Sequence, residues 1–291
     1  MRDVCLIVNP SAGGGRAARL LPGVESALRA HGFGFRVERT ESLEHARALA
    51  RSTLDPGELA AAMGGDGLIG AVAGALSGTA GVLGILPGGR GNDFARKLGI
   101  GGDPVAACDV LAEGREEAVD VAEIDGRTYV GIASAGLDSD VQMIANATRV
   151  RLGTLVYVYG TLRALASWKP ARWSVTLDGE AREFTGYSVA VANSGVFGGG
   201  MRLAPEASVT DGELDVVLSE DTSRLRFLRN LPRVFSGSHV DQPTLHILRA
   251  REVSFSADRP FTAFADGDPI AELPATVRVV PAALRVMVPA P

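Results

Sequence analysis

The sequence predicts an α/β N-terminal domain with a parallel sheet, followed by a mostly antiparallel β domain. The chain has 291 residues, 46% of them apolar, which is enough to give each of two domains its own core. Strand-like and helix-like segments alternate up to about residue 118, and strand-like segments dominate afterwards. We therefore place the domains at residues 1–118 and 119–282, and we expect the tail, about 283–291, to return to the first domain.

Repeated strand–helix units are predicted in the first domain. Strands are predicted at residues 4–8, 33–39, 59–63 and 82–86, of which 33–39 alternates apolar and polar residues, and helices at 16–31, 43–51, 68–76 and 92–98. Leu20, Val24 and Leu28 share one face of the first helix, while Pro22 lies within it and predicts that this helix begins late. Such units predict a parallel sheet that is covered by helices on both faces.

One stretch of the first domain has a length that could span a bilayer. Residues 68–86 carry no charge. Glycines interrupt the stretch, and residues 77–81 (Ser-Gly-Thr-Ala-Gly) have the composition of a turn. We therefore predict a buried helix followed by a buried strand rather than a membrane-spanning segment.

Antiparallel strands are predicted in the second domain. Residues 173–177 alternate apolar and polar side chains and run into Asp178-Gly179, a hairpin turn pair. Further strands are predicted at residues 187–192, 214–218, 252–256, 261–265 and 276–280, with one helical insertion around 145–167. Strands without regular helices between them favour antiparallel pairing.

The overall charge and the cysteines limit the partners and the compartment. The net charge is −5, from 29 basic and 34 acidic residues, which gives no general attraction to nucleic acid or to an anionic membrane. We expect no nucleic-acid partner, and any membrane contact has to be local. Cys5 and Cys108 lack the spacing of a zinc or redox motif, which indicates a reducing, cytoplasmic compartment.

Glycine-rich loops follow three of the four predicted strands of the first domain. They span residues 9–16 (Asn-Pro-Ser-Ala-Gly-Gly-Gly-Arg), 64–67 (Gly-Gly-Asp-Gly) and 87–94 (Pro-Gly-Gly-Arg-Gly-Asn-Asp-Phe). Ligands of parallel sheets bind at the carboxyl ends of strands, and glycine loops before helices present backbone N–H groups to anions. Three such loops on one edge predict a polyphosphate site, with Asp66 and Asp93 among its residues.

Two alternative roles for these loops stay open. The pattern Gly13-x-Gly15-x-x-Ala18, with Glu38 further along the chain, loosely matches the dinucleotide fingerprint and would indicate an NAD(P)-binding oxidoreductase. A dinucleotide at the first loop would leave the second and third loops without a role. The glycines could also serve only as tight turns, without a ligand.

The loops also carry a resemblance to a known family. Their motifs, with Ala95-Arg96 after the third, resemble those of the diacylglycerol kinase catalytic family, which includes bacterial lipid kinases and sphingosine kinases. In the second domain, motifs at residues 193–201, 204–205, 211–215 and 265–268 appear in the family's order. The resemblance covers nearly the whole chain and implies a fold related to that of NAD kinases.

The resemblance implies an ATP site on the first domain. Residues are assigned to this site either because they match the family's motif positions or because they lie in or beside the loops. They are Asn9, Pro10, Ser11, Ala12, Gly13, Arg16, Thr40, Gly65, Asp66, Gly67, Leu68, Ile69, Gly70, Ala71, Arg90, Asn92 and Asp93. A catalytic Mg²⁺ would bridge the ATP phosphates, with Asp66 as the nearest carboxylate.

The resemblance also assigns residues of the second domain. Ser208, Asp211 and Glu213 lie in the loop that holds a structural Mg²⁺ in bacterial members, and oxygen ligands suit that ion. Asp268 falls on the family's base for the acceptor hydroxyl. For both Asp211 and Asp268 the alternative is a simple turn residue.

The chain departs from the family pattern at several polar positions. Residues 68–71 (Leu-Ile-Gly-Ala) replace a Thr-x-Asn-Glu segment, Arg90 replaces a threonine and Asp268 replaces a glutamate. A guanidinium is a forked phosphate donor where threonine offers one hydroxyl, so the phosphate contacts are better preserved than the sugar and base contacts. A catalytically weak, lipid-binding pseudokinase therefore stays open as an alternative.

The function expected from these features is that of an ATP-dependent lipid kinase in phospholipid biosynthesis. It would transfer the γ-phosphoryl group to a hydroxyl of a diacylglycerol-like lipid at the inner face of the membrane. The sequence does not separate diacylglycerol from sphingosine, ceramide, a glycerol ether or an undecaprenol-like acceptor. Exposed strands of the second domain leave a homodimer open.

Membrane and lipid contacts are expected from the second domain. Residues 152–168 mix apolar side chains with arginines, and Trp168 and Trp173 flank two cations, a composition typical of a membrane interface. Packing in the core is the alternative, and it is favoured for Trp173. Phe197 and Met201 either line an acyl tunnel or pack in the core.

Overall fold

The computed structural model describes residues 2–148 and 155–291. The chain forms two compact units, one of Met1–Val121 with Pro281–Pro291 and one of Ala122–Val280. We call them unit 1 and unit 2. The boundary lies close to the predicted residue 118, and the C-terminal tail belongs to unit 1.

Unit 1 contains a parallel sheet with helices between its strands. Its strands are β1 (Val4–Val8), β2 (Phe35–Arg39), β3 (Leu59–Gly64), β4 (Val82–Pro87) and the start of β5 (Arg115–Ile124), and its helices are α1 (Ala12–Ala30), α2 (Leu43–Ser52), α3 (Asp66–Leu76), α4 (Asp93–Lys97) and α5 (Ala107–Glu113). The order β4-β3-β1-β2 is parallel throughout. Every residue of β1, β3 and β4 is buried, as expected for parallel strands covered on both faces.

The first helix differs from its prediction at Pro22. Residues 13–15 have left-handed φ angles, so regular helix begins at Arg16 and then continues through Pro22. A proline inside a helix costs one hydrogen bond. The cost is tolerated here because Leu21, Val24 and Leu28 are buried along one face. The predicted late start is therefore wrong.

The uncharged stretch at residues 68–86 forms the buried helix and strand that its glycines predict. It lies in α3 and β4, joined by a turn in which the Thr79 hydroxyl donates to the Leu76 carbonyl at 2.6 Å. Among the described residues, no helix combines the length and the apolar character needed to cross a bilayer.

Unit 2 is mostly antiparallel. Its strands are the end of β5, β6 (Arg127–Tyr129), β7 (Ile132–Gly136), β8 (Ala171–Leu177), β9 (Glu180–Ala192), β10 (Val196–Phe197), β11 (Met201–Arg202), β12 (Leu214–Glu220), β13 (Leu245–Ala250), β14 (Glu252–Ala257), β15 (Thr262–Ala265), β16 (Asp268–Glu272) and the start of β17 (Ala275–Val288). The order β16-β15-β7-β9-β8-β14-β17 uses antiparallel pairs, and β12 pairs with β9 and β13. The predicted fold class is confirmed.

The helices of unit 2 are more numerous than predicted. They are α6 (Leu137–Ala147), α7 (Leu155–Ser167), α8 (Arg224–Asn230) and α9 (Arg233–Ser236), with a 3-10 turn at Ser238–Asp241. The predicted single insertion at 145–167 corresponds to the end of α6 and the whole of α7. Residues 149–154, including part of the predicted membrane segment, lie outside the described residues.

Both tryptophans belong to the core of unit 2. Trp168 and Trp173 are 6% and 1% exposed, and each packs on Phe261, with ring centroids 5.8 and 5.2 Å apart. The Arg259 guanidinium lies 5.2 Å from the Trp168 ring centroid. The indoles therefore do not form a membrane interface, and that interpretation of their composition was wrong. Alternate residues of β8 point inward, which buries Trp173.

Candidate active site

The three glycine loops of unit 1 meet at one edge of its sheet. The strands before them, β1, β3 and β4, are parallel neighbours, and the Gly88 N–H donates to the Gly64 carbonyl at 2.8 Å. A Cβ added to Gly13 would lie 2.6 Å from the Gly88 oxygen, and one added to Gly89 would overlap the Gly65 Cα. The loops thus touch backbone to backbone, which only glycine permits. We call this junction the glycine rim.

Side chains of the first loop shape its own turn. The Asn9 carboxamide oxygen accepts the Ser11 N–H at 3.1 Å and the Ser11 hydroxyl at 2.8 Å. The N–H groups of Gly14 and Gly15 donate to the Ser11 carbonyl. This is an Asx-type turn, in which the N–H groups of Ser11, Gly14 and Gly15 are hydrogen-bonded within the loop itself.

Asp66 joins the second loop to the third. Its Oδ1 accepts the backbone N–H of Asp93 at 2.7 Å and that of Phe94 at 3.3 Å, at the start of α4. Burial raises the pKa of the Asp66 carboxyl, while these backbone hydrogen bonds oppose the shift. The Oδ2 atoms of Asp66 and Asp93 both lie beside Gly91. They are 2.8 and 2.9 Å from the position that a Cβ on Gly91 would take.

The third loop is closed by one asparagine and leaves one arginine exposed. The Asn92 carboxamide accepts the Gly89 N–H at 2.8 Å and donates to the Gly89 carbonyl at 3.2 Å. Asp93 forms an ion pair of 2.8 Å with Arg96. Arg90 is exposed, and we find no hydrogen bond or ion pair between it and any described residue. The third loop thus carries one exposed guanidinium that is not neutralised by any described carboxylate.

Two further residues of the predicted ATP site are engaged within the fold. The Arg16 guanidinium donates to the Gly102 carbonyl at 2.8 Å. The Thr40 hydroxyl and N–H both donate to the Val8 carbonyl, at 3.2 and 2.8 Å. Thr40 thus fixes the end of β1, directly before the first loop.

The residues after Gly67 face the core. Leu68, Ile69 and Ala71 are at most 4% exposed, and the Ile69 N–H is bonded to the Gly65 carbonyl at 3.1 Å. On α3, only the N–H groups of the first turn, before Ile69, therefore remain for a ligand. Gly70 lies after this turn. The structure does not support side-chain contacts to a nucleotide at positions 68–71.

The predicted magnesium loop of unit 2 contains an arginine among its carboxylates. The Arg249 guanidinium lies 3.9 Å from Asp211, 3.7 Å from Glu213 and 3.8 Å from Asp215. The Ser208 hydroxyl is 3.2 Å from that of Thr210. The oxygen donors suit a hard cation, but Arg249 already supplies positive charge there. No metal-binding group of three or more His, Cys, Asp or Glu residues occurs in the described parts of the chain.

Asp268 lies at the end of a β-hairpin. Asp266 and Gly267 have left-handed φ angles of 51° and 95° and form the turn between β15 and β16. The Asp266 carboxylate accepts the N–H groups of Val130 and Gly131, both at 2.9 Å, and so anchors the turn. Asp268 is exposed at the start of β16. The turn lies at Asp266 and Gly267, and Asp268 follows it as the first residue of β16, an exposed position that is compatible with a role as base.

Sequence reasoning missed two carboxylates in the first turn of α6, Asp138 and Asp140. Asp140 lines an open groove of unit 2 that runs along the Asp268 hairpin at Pro269. Burial raises the pKa of the Asp140 carboxyl, and Arg259 opposes the shift. The available signal was a Leu-Asp-Ser-Asp sequence directly after the buried strand β7, which places two carboxylates in the first turn of a helix.

Unit 2 also contains an apolar cavity. Its volume is about 100 Å³, and it is partly open to solvent. Its apolar lining consists of Ala190, Phe197, Met201, Leu203, Val217, Phe227, Leu231, Val234 and Leu245. Asp138 and His239 add polar groups, and the His239 Nε2 lies 3.0 Å from the Leu203 carbonyl. Phe197 and Met201, predicted either to line a tunnel or to pack, thus border this cavity.

Asp138 makes the stability of the fold depend on pH. Burial raises the pKa of its carboxyl from 3.8 to about 6, so the folded protein keeps a proton that the unfolded chain loses between these values. The free energy of unfolding therefore falls as pH rises through that window. We expect Asp138→Asn to stabilise the protein by up to about 3 kcal/mol above about pH 6 and little near pH 4. Urea unfolding at the two pH values checks this, and an equal effect at both would contradict it.

Comparisons with known proteins agree with this architecture. Residues 3–124 match the diacylglycerol kinase catalytic domain, and residues 131–288 match the YegS C-terminal NAD kinase beta sandwich-like domain. The diacylglycerol kinase of Mycobacterium tuberculosis (strain ATCC 25618 / H37Rv) is 32% identical over 98% of this chain and 95% of its own. That of Bacillus subtilis (strain 168) is 26% identical, with 92% and 90% covered.

A solved structure shares the fold. The crystal structure of a diacylglycerol kinase from Bacillus anthracis str. Sterne has a TM-score of 0.76 and 19% identity, and covers 99% of this chain and 97% of its own. The match to the diacylglycerol kinase catalytic domain and the relatives of known name identify the chain as a lipid kinase. The chain belongs to the diacylglycerol kinase-like, NAD kinase-related family.

Proposed function

We propose that this lipid kinase transfers the γ-phosphoryl group of ATP to a hydroxyl of a diacylglycerol-type lipid. The observation that carries the proposal is the glycine rim, where three loops pack backbone to backbone at one sheet edge beside the Asp66 carboxylate. Phosphoryl transfer depends mainly on positioning and on neutralising charge, and a rigid backbone site provides the positioning.

Unit 1 would bind the phosphate donor. Backbone N–H groups of the rim that make no internal hydrogen bond, together with the first turn of α3, would face the phosphates, and the exposed Arg90 would add a guanidinium. Mg²⁺ would supply neutralisation of the phosphate charge. The Oδ2 atoms of Asp66 and Asp93 would suit that ion, because both are hard oxygen donors and both lie within 2.9 Å of one point beside Gly91.

Unit 2 would bind the acceptor. Asp268 would accept the proton of the acceptor hydroxyl, and the groove past Asp140 and Pro269 would hold the headgroup. The apolar cavity is suited to acyl chains. Tyr159 and Leu162 on α7 are 41% and 51% exposed, and we assign them the peripheral membrane contact expected of residues 152–168.

Label transfer tests this function directly. The protein is incubated with γ-labelled ATP, Mg²⁺ and separate vesicles containing diacylglycerol, sphingosine, ceramide, a glycerol ether or undecaprenol. We expect label on diacylglycerol, and about 100- to 1000-fold slower labelling with an Asp66→Asn variant. Label on another lipid of the panel would reassign the acceptor, and no label on any lipid would overturn the proposal.

Two rival functions are separated by binding measurements. An NAD(P)-dependent oxidoreductase would be stabilised thermally by NAD(P)H and not by ATP. The Glu38 carboxylate that the dinucleotide fingerprint requires is paired with Arg36 at 3.0 Å, which argues against that function. A lipid-binding pseudokinase would extract labelled lipid from vesicles without turning over ATP.

A structural Mg²⁺ in the Asp211 loop is expected to stabilise the folded protein. Mg²⁺ at about 10- to 100-fold excess over its Kd raises the free energy of unfolding by about 1–3 kcal/mol when it binds only the native state. Asp211→Asn should remove this increment in thermal unfolding without nucleotide. Asp55→Asn is the matched control, since Asp55 is an exposed carboxylate of unit 1. An equal Mg²⁺ increment in all three proteins would contradict the assignment.

A further inference from the structure

Helices α8 and α9 form one continuous amphipathic segment, residues 223–236. Leu231 and Pro232, which join them, keep right-handed helical φ and ψ angles. The Leu231 N–H donates to the Phe227 carbonyl at 3.1 Å, and the Phe235 N–H donates to the Pro232 carbonyl at 3.3 Å. One helical face can therefore be followed through both helices.

The inner face of this segment is a wall of the apolar cavity. Phe227, Asn230, Leu231 and Val234 all line the cavity, at the spacing i, i+3, i+4 and i+7. Arg224 fixes the start of the segment, because its guanidinium donates to two backbone carbonyls at the end of α7, at 3.1 and 2.9 Å.

The outer face carries three arginines. Arg226, Arg229 and Arg233 are exposed at the spacing i, i+3 and i+7. The guanidinium groups of these arginines make no hydrogen bond or ion pair with the part of the chain that is described, although the Arg226 N–H donates to the Ser223 hydroxyl and the Arg233 carbonyl accepts the Ser236 hydroxyl. The sequence has no aspartate or glutamate at positions 222–240, although the whole chain has a net charge of −5. This face therefore concentrates positive charge on an acidic protein.

Two large apolar side chains accompany the arginines. Leu225 is 78% exposed and Phe235 is 46% exposed. Exposed apolar groups beside cations on a helix are typical of segments that lie in a membrane interface. On α7, by contrast, there is one described arginine, Arg163, and its guanidinium donates to the Tyr159 hydroxyl at 3.0 Å.

We propose that the outer face of residues 223–236 docks on a bilayer that contains anionic phospholipid. The charge complementarity carries this proposal: the arginines attract the negative surface while Leu225 and Phe235 enter the headgroup region. Because the opposite face lines the cavity, docking brings the wall of that cavity to the source of the lipid. This proposal rests on the proposed function, because that function takes its lipid acceptor from a membrane.

Vesicle sedimentation without nucleotide tests the docking surface. The full chain is mixed with vesicles of phosphatidylcholine alone or of phosphatidylcholine with phosphatidylglycerol. We expect preference for the anionic vesicles and about 100-fold weaker partitioning of Arg226→Gln/Arg229→Gln/Arg233→Gln. The control Arg182→Gln/Arg251→Gln/Arg285→Gln removes the same charge from exposed positions elsewhere and should partition like the wild type.

Several outcomes would overturn the docking proposal. The first is equal partitioning of the wild type to both vesicle types, and the second is an equal loss of partitioning in both triple variants. The third is self-association of the wild type that only the Arg226→Gln/Arg229→Gln/Arg233→Gln variant abolishes, which would assign the face to a second copy of the chain. Leu225→Ser/Phe235→Ser provides a second variant and should weaken binding to both vesicle types. Phosphorylation of a short-chain, monomeric diacylglycerol without vesicles reports on the proposed function alone, so the two failures are distinguishable.

Discussion

Asp66→Asn is expected to lower kcat for lipid phosphorylation by about 100- to 1000-fold with little loss of stability. The amide oxygen of asparagine still accepts the N–H groups of Asp93 and Phe94, so the second and third loops stay joined. The negative charge that would act on the phosphate-bound cation is lost. Labelled-ATP turnover and thermal unfolding of the same preparation measure the two effects.

Asp66→Ala is the matched control for this prediction. It removes both the charge and the hydrogen-bond acceptor, so two backbone N–H groups lose their partner and we expect about 1–3 kcal/mol lower stability as well as low activity. If Asp66→Asn turned over ATP like the wild type, the charge of Asp66 would have no catalytic role and its function would be structural only.

Gly13→Ala is expected to weaken ATP binding by at least about 10-fold and to destabilise unit 1 by about 2–5 kcal/mol. Gly13 has a left-handed φ of 61°, and the new Cβ would lie 2.6 Å from the Gly88 oxygen. The first and third loops would therefore be pushed apart. Calorimetric titration with ATP and Mg²⁺, together with thermal unfolding, measures both changes.

Gly14→Ala separates backbone strain from the clash between loops. Gly14 has a similar φ of 68°, but a Cβ there would meet no atom within 4 Å. We expect a stability loss of about 1–2 kcal/mol from the left-handed backbone and nearly unchanged ATP affinity. Equal ATP affinities of the two variants would show that contact between the loops is not needed for binding.

The sequence was most informative where burial on both faces imposes a continuous apolar run. The strands β1, β3 and β4 and the helix α3 were predicted within one or two residues, because parallel strands and buried helices leave few polar positions. The positions of the glycine loops followed directly, since each begins where a buried strand ends.

Other features depend on contacts that sequence patterns do not show. Asp66 caps α4 across 27 residues, which no local motif encodes. The composition around Trp168 suited a membrane interface as well as a core, and only the packing on Phe261 decided between them. Residues 223–236 were not predicted to be helical, because Pro232 and the short length of each helix weaken the periodic signal.

The most direct test of the phosphate-binding role of the glycine rim is competition between inorganic tripolyphosphate and ATP in calorimetric titration of the wild-type protein with Mg²⁺. Because the rim offers backbone groups and the side chains of Leu68, Ile69 and Ala71 are buried, most of the affinity should come from the phosphates. We predict that tripolyphosphate displaces ATP and binds with an affinity within about 10-fold of that of ATP, a difference in binding free energy of at most about 1.4 kcal/mol. Adenosine should not displace ATP. Absence of ATP binding, or ATP binding that tripolyphosphate leaves unchanged, would contradict this role.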